Sequence, residues 1–295
     1  MMKYTPRPLR GMRFYMVKAS IMEMVLACLI FFTQYRVLPN KKSLAVVCYG
    51  PSSIFSQDVC FYAFFTLLIF GCESVLSIAH TIYYQCRNAD RTSKTLPLPV
   101  IILQTSITFI PLFVLQMLII MMKKDFAAVQ EETELLHPDV RNSGGVVSGF
   151  AEMYDPLNII AVGVLGLIIY GTPFFSIHCK RIIYQRLFAY EASISQRTRE
   201  NAKTFIRALN FQAMIPAICY IPPFTIFVYN QYFGSEMPLT SLIIPLTISI
   251  PTIIHPAITL YFIQPYRRAV MAFIKRDRLR RRSSIFPSND DNSKY

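Results

Sequence analysis

Six long apolar runs dominate the sequence and are separated by short polar or charged segments. They cover residues 14–35, 59–83, 97–122, 156–178, 205–230 and 238–263. Each is at least as long as the roughly 20 residues that a helix needs to cross the hydrocarbon core of a bilayer. A helix of a soluble core would show polar side chains at helical spacing, and the stretch 109–115 shows none. The pattern therefore predicts an all-α bundle of six membrane-spanning helices within residues 1–268.

The polar segments between and after the runs are too short to form a soluble domain. The longest, 123–155, is acidic; we expect Phe126 to Leu136 to form a short surface helix and Ser143-Gly144-Gly145 to form a flexible turn. Residues 269–295 begin with a basic block and continue with polar residues. This composition predicts a partly disordered cytosolic tail.

Charge supports the membrane prediction and sets an orientation. The chain is 53% hydrophobic and 16% charged, with a formal net charge of +13, whereas soluble domains carry about 25% charged residues. Lysine and arginine cluster before the first run, after the fourth run and in the tail, and the loop after the fifth run has none. Since cytoplasmic segments are the richer in basic residues, we expect both termini in the cytosol. The positive charge then reflects topology, and no nucleic-acid partner is expected.

Ionisable side chains inside the apolar runs are the candidates for function, because they are costly in a bilayer. Glu23 lies near the middle of the first run and Glu73 near the middle of the second, with His80 and His255 nearer the cytosolic side. For Glu23, hydrogen bonding between helices and a switch role are both open. For Glu73, structural bonding and contact with a ligand are both open. Lys18 is expected to extend to the cytosolic surface.

Other chemistry is sparse in the sequence. There is no catalytic motif and no phosphate-binding glycine loop, and the histidines and cysteines do not have metal-ligand spacing. We therefore expect neither an enzyme nor a bound cofactor or metal. A small-solute transporter or channel stays open as an alternative function.

Two of the seven cysteines, Cys48 and Cys60, fall on the predicted outer side of the membrane. Disulfides persist in that environment, so their pairing is a hypothesis. Alkylation of both thiols without prior reduction would contradict it.

Several short motifs, in a fixed order, resemble those of a known receptor family. They are Thr5-Pro6-Arg7-Pro8-Leu9-Arg10, Gln34-Tyr35-Arg36-Val37-Leu38-Pro39, Tyr49-Gly50-Pro51, Val59-Cys60-Phe61, Ala208-Leu209-Asn210-Phe211-Gln212-Ala213-Met214-Ile215-Pro216 and Tyr261-Phe262-Ile263-Gln264-Pro265-Tyr266-Arg267-Arg268. Together they resemble the nematode chemosensory receptors of serpentine receptor class delta (Srd).

The resemblance implies a G-protein-coupled-type receptor with seven helices, in the plasma membrane of sensory neurons. It would bind a small external chemical in a cavity between helices that is open to the outside. Arg87, Arg267 and Arg268 would meet a heterotrimeric G protein in the cytosol.

The chain also departs from the family pattern. The match begins at the basic segment that follows the family's first helix, so the six runs would correspond to its second to seventh helices. Cys60 fits the family's cysteine on the third helix, but the loop 123–155 contains no cysteine to pair with it. An arginine expected near His80 is absent until Arg87. These departures lead us to expect a truncated chain with impaired signalling.

Overall fold

The computed structural model describes residues 10–40, 42–88, 97–122, 124–141, 143–189, 196–234, 240–262 and 271–272. In chain order its elements are α1 Arg10–Thr33, β1 Tyr35–Pro39, β2 Leu44–Cys48, α2 Gln57–Asn88, α3 Leu98–Ile107, α4 Phe109–Met121, α5 Phe126–Leu136, α6 Pro138–Arg141, β3 Val146–Phe150, α7 Pro156–Ala189, α8 Gln196–Phe233 and α9 Thr240–Phe262. A short 3-10 turn, Pro51–Ile54, precedes α2.

The apolar runs all form helices, as their length and composition predict. Within the described residues, five helical stretches are long and apolar enough to cross a membrane: Phe14–Thr33, Gln57–Tyr84, Pro99–Met121, Pro156–Gln185 and Ser241–Ile258. The predicted run 205–230 lies inside α8, which is helical along its whole length. Helices suit the bilayer because they satisfy their own backbone hydrogen bonds. The prediction of a helical membrane bundle is therefore confirmed.

The run 97–122 is divided into two helices at Thr108, where the sequence analysis predicts one. Pro111 lacks the N–H that would bond to the carbonyl of Ile107, so a helical hydrogen bond is missing at this point. At the break, the Thr108 hydroxyl donates to the Thr105 carbonyl at 2.7 Å. The interruption thus follows from the proline one turn further along.

A three-stranded antiparallel sheet, which the sequence analysis does not predict, lies at one end of the helical bundle. This is the end predicted to face outside, and it is called the outer end below. β2 is the central strand; Tyr35 of β1 pairs with Cys48, and Phe150 of β3 pairs with Leu44. Gly149 has a φ of 150°, and a Cβ there would lie 1.8 Å from the Leu44 carbonyl oxygen. The close approach of β3 to β2 therefore requires glycine at this position.

Both faces of the sheet are buried, which explains why β2 is apolar at every position. Side chains alternate between the two faces of a strand. One face packs on the helical bundle through Tyr35, Val37, Leu44, Val46, Cys48 and Phe150. The other packs under α5 and α6 through Leu38, Ala45, Val47 and Val147, which meet Val129 and Val140.

The helix α5 has the bounds predicted for it, Phe126–Leu136. The Asp125 carboxylate caps its first turn by accepting a hydrogen bond from the Ala128 N–H at 3.2 Å. The turn at the two glycines is also present, with Gly144 at a φ of 69°. The prediction of this surface helix is confirmed, and its buried side covers the sheet.

Candidate functional site

An internal cavity of about 150 Å³ lies between α2, α4, α7, α8 and α9, beneath the sheet. Its lining is almost entirely apolar; the polar exceptions are the Asn158 side chain and the Tyr220 hydroxyl. The residues that define its walls include Phe64, Phe65, Gly71, Cys72, Val75, Leu115, Ile119, Ile168, Phe224, Phe227 and Ile248. Such a cavity favours a small apolar occupant, because it offers no ionic partner to a charged one.

The sheet covers the outer end of this cavity. Val37, Leu44, Phe150 and Met153 form the roof, and each is 6% exposed or less. β1, β2 and β3 bury one face on the bundle, so the sheet covers this end of the cavity. A cavity that opens to the outside stays a prediction, which this roof does not favour.

The turn between β1 and β2 is held by both α5 and α8. The Glu132 carboxylate accepts hydrogen bonds from the backbone N–H groups of Lys42 and Ser43, at 3.0 and 3.1 Å. The buried Gln231 side chain donates to the carbonyls of Asn40 and Ser43, at 2.8 and 3.2 Å. Because these are charged or buried groups, the bonds fix the roof firmly in place.

Arg36 ties the edge strand β1 to its neighbours. Its guanidinium donates to Ser241 of α9 and to the Asp139 carboxylate of α6, each at 2.9 Å. The hydrogen bond from Arg36 holds the pKa of Asp139 below its usual range. Asp139 is 58% exposed, so solvent screens this ion pair.

Cys48 and Cys60, the cysteines predicted to pair, are joined by a disulfide with a Cα–Cα distance of 6.3 Å. Cys48 ends β2, and Cys60 lies in the first turn of α2. The bond therefore attaches the middle strand of the roof to a helix that lines the cavity.

Gly71 leaves part of the cavity unfilled. It lies on α2 and lines the cavity, and a Cβ placed on it would have no neighbouring atom within 4 Å. A larger side chain at this position would therefore project into empty space. This makes Gly71 a point at which the cavity can be filled without displacing its walls.

Glu73 does not line the cavity; it forms a buried ion pair with Lys18 of α1. Lys18 is 9% exposed and Glu73 1%, so the expectation that Lys18 extends to the surface is wrong. The Ser77 hydroxyl also donates to Glu73, at 3.4 Å, and the Lys18 ammonium lies 5.0 Å from the centre of the Phe109 ring. Two oppositely charged residues in consecutive membrane runs could have indicated this pair. A ligand contact at Glu73 stays a prediction, which this position does not support.

Glu23 and His255, both predicted as polar or switch residues, contact each other. The His255 Nδ1 and Glu23 Oε1 atoms lie 2.7 Å apart, and both side chains are nearly inaccessible to solvent. A carboxylate can only accept, so an ionised Glu23 requires the proton on His255 Nδ1. The contact joins α1 to α9 across 232 positions of the sequence.

The other predicted residues are apart from these pairs. His80 lies on α2, with its ring centre 6.3 Å from that of Tyr15. Arg87 is exposed in the last turn of α2. Arg267 and Arg268 lie outside the described residues.

Comparison with known proteins agrees with the helical bundle and the outer motifs. The family model described as "Serpentine type 7TM GPCR chemoreceptor Srd" matches residues 1–272. This chain belongs to the Srd family. Among curated Srd proteins of Caenorhabditis elegans, serpentine receptor class delta-59 is 30% identical over 286 residues, covering 95% of this chain and 86% of the relative. Serpentine receptor class delta-51 is 29% identical over 269 residues, covering 89% and 77%.

The motifs that resemble the Srd family form much of the roof. Gln34 to Pro39 contains β1, and Tyr49-Gly50-Pro51 leads into the 3-10 turn. A Cβ on Gly50 would lie 2.5 Å from the Phe32 carbonyl oxygen, so the chain can pass the end of α1 only with glycine there. In this Srd receptor, Cys60 reaches a cysteine of the first outer loop, Cys48, instead of one in the second.

Proposed function

We propose that this Srd chain is a chemosensory receptor of the G-protein-coupled type whose small external ligand occupies the apolar cavity under the sheet. The observation that carries the proposal is the apolar cavity of about 150 Å³ between the helices. An apolar cavity of about this volume stays dry and binds molecules the size of benzene. Its contacts fit a receptor better than an enzyme, since the lining brings together no group of catalytic side chains.

On this proposal the bound molecule shifts the bundle between two states, which requires that it bind one of them more tightly. The cytosolic ends of the helices then meet a heterotrimeric G protein. Arg87, exposed at the end of α2, supports such a contact, and Arg267 and Arg268 are proposed to join it. The receptor would lie in the plasma membrane of sensory neurons with both termini in the cytosol.

The test replaces Gly71 with leucine, which fills the cavity from a position that no other atom occupies. Cells producing the full chain are exposed to a panel of small volatile organic compounds while second messengers are recorded. We expect the response to be lost in Gly71→Leu and kept in Gly163→Leu. Gly163 is the matched control, because it also has no atom near its Cβ position but is exposed and does not line the cavity.

Two results would count against the proposal. An unchanged response in Gly71→Leu would place the ligand elsewhere, and a silent unmodified chain on the cell surface would contradict signalling. A response by the unmodified chain would in turn contradict the expectation of impaired signalling.

The buried charges favour a second candidate, a small-solute transporter or channel. Glu23 and Glu73 are ionisable groups within the bundle, as substrate and ion pathways often have. Flux in proteoliposomes that is lost in Glu23→Gln or Glu73→Gln would support this candidate. Neither residue lines the cavity, which is why we prefer the receptor.

A further inference from the structure

The wall of the cavity is thin where α7 meets α8. Phe224 of α8 lines the cavity and lies against Gly166 of α7. A Cβ on Gly166 would be 3.3 Å from Cε1 of the Phe224 ring. Because Gly166 has no side chain, the Phe224 ring fills the space that a side chain of α7 would take at this level. Leu165 and Ile169, beside Gly166, also line the cavity and are only partly buried.

Among the described side chains, a hydrogen bond joins the two helices next to this ring. The hydroxyls of Tyr170 and Thr225 lie 2.6 Å apart. Thr225 donates its one proton to the Ile221 carbonyl at 2.7 Å, so Tyr170 is the donor to Thr225. Thr225 is exposed, which places the bond on the lipid-facing side of the bundle. The Tyr170 ring also packs edge-on to Phe224, with centres 6.0 Å apart.

The backbone of α8 is weakened at the same level. Pro222 and Pro223 precede Phe224 directly and lie inside the helix. Each lacks the N–H that would bond to the carbonyl four residues earlier. The segment that carries Phe224 therefore has fewer helical bonds to break when it moves.

The roof is fastened much more strongly than this wall. A disulfide holds β2 to α2. The β1–β2 turn is held by two hydrogen bonds that Glu132 accepts and two that Gln231 donates. Opening a path through the roof would disrupt several of these contacts at once. Opening the wall next to Phe224 needs the loss of the Tyr170–Thr225 hydrogen bond and the rotation of the ring. The hydrogen bond from Lys180 to Asn210, at 2.6 Å, also joins the two helices but lies ten or more residues away along each of them.

We propose that ligands enter the cavity sideways from the bilayer, between α7 and α8, past Phe224 and the Tyr170–Thr225 hydrogen bond. The ligand is then a small, uncharged, apolar molecule that dissolves in lipid before it binds. This inference rests on the proposed function, because it takes the cavity to be the ligand site.

Fluorine NMR of fluorobenzene, used as an apolar probe, tests the route with the full chain in lipid nanodiscs. We expect Tyr170→Phe and Thr225→Val each to speed exchange of bound fluorobenzene about threefold, as the loss of one hydrogen bond inside a membrane protein predicts. Gly166→Leu should slow exchange, because its side chain presses on Phe224. The matched control Gly163→Leu, three residues away on an exposed surface, should not change it.

Entry through the roof makes the opposite prediction. Entry through the roof predicts faster exchange in Gln231→Ala or after reduction of the disulfide. That result, together with unchanged exchange in Tyr170→Phe, Thr225→Val and Gly166→Leu, would overturn the side entrance. Binding that is absent, or that persists in Gly71→Leu, would instead contradict the cavity as the ligand site. The two failures can therefore be told apart.

Discussion

Removal of one charge from the buried Lys18–Glu73 pair should destabilise the bundle much more than removal of both. In Lys18→Met the carboxylate of Glu73, 1% exposed, loses its only cationic partner among the described residues and keeps the 3.4 Å hydrogen bond from Ser77. Breaking a buried pair in this way costs about 3–5 kcal/mol. A charge at the centre of a membrane helix costs about 2.5–3.5 kcal/mol, and the two ranges meet near 3 kcal/mol. We therefore expect a loss of about 3 kcal/mol.

The double variant Lys18→Met/Glu73→Leu leaves no uncompensated charge. Since a buried ion pair replaced by apolar groups of similar size is often no less stable, we expect it within about 1 kcal/mol of the unmodified chain. The assay is denaturant unfolding in lipid bicelles, monitored by circular dichroism. It compares the unmodified chain, Lys18→Met, Glu73→Leu and the double variant.

The exposed pair of Arg36 and Asp139 serves as the comparison, because its members are 21% and 58% accessible. Pairs of this kind contribute about 0–1 kcal/mol. The reasoning fails if Lys18→Met costs less than about 1 kcal/mol, or if the double variant is as unstable as the two single variants combined.

Three further predictions concern the roof. The hydrogen bond from Arg36 lowers the pKa of Asp139 in the folded state. Their contact therefore stabilises the fold above the ordinary aspartate pKa of about 3.9, and this stabilisation is lost as the pH falls through the lower pKa of the folded state. In Asp139→Asn the free energy of unfolding should change less with pH across this acid range, by less than about 1 kcal/mol. Cys48→Ser should lower the free energy of unfolding by about 2–3 kcal/mol, since the disulfide with Cys60 spans 12 positions. In the unmodified chain, mass spectrometry should show that Cys48 and Cys60 are alkylated only after reduction. Gln231→Ala should lower the free energy of unfolding by about 1–2 kcal/mol and speed amide hydrogen exchange in the β1–β2 turn, because the two hydrogen bonds to the carbonyls of this turn are lost. Unchanged exchange in the turn would show that Gln231 does not hold it.

The helices and α5 could be predicted from the sequence because their signals are local. Long apolar runs leave the backbone no alternative to a helix in lipid. The start of α5 follows from Asp125, a good N-cap residue, and its helical character from the spacing of Phe126, Val129 and Leu136. The break at Thr108 could also be predicted from the nearby Pro111. Other prolines, such as Pro251, lie in an unbroken helix. Local sequence alone does not distinguish these cases.

The sheet and the contact between Glu23 and His255 could not be predicted because their partners are far apart in the chain. β2 pairs with β3 about 100 residues later, and β2 itself reads as five apolar residues next to a membrane run. The sequence analysis predicts both Glu23 and His255 as functional candidates. No pattern in the sequence around either residue indicates that they contact each other across 232 positions. The cavity depends on five helices and the roof at once, so its position follows only from their packing.

The helix α2 links the cavity to the buried charges. Cys72 lines the cavity, whereas the next residue, Glu73, is rotated about 100° around the helix axis and pairs with Lys18 of α1. Consecutive residues of one helix turn together, so a ligand that rotates α2 at Cys72 also moves Glu73 relative to α1. An ion pair in a medium of low dielectric constant is sensitive to such a displacement. On the proposed function, the change from an apolar wall to a buried charge along α2 would let the binding of an uncharged molecule alter the electrostatics between helices.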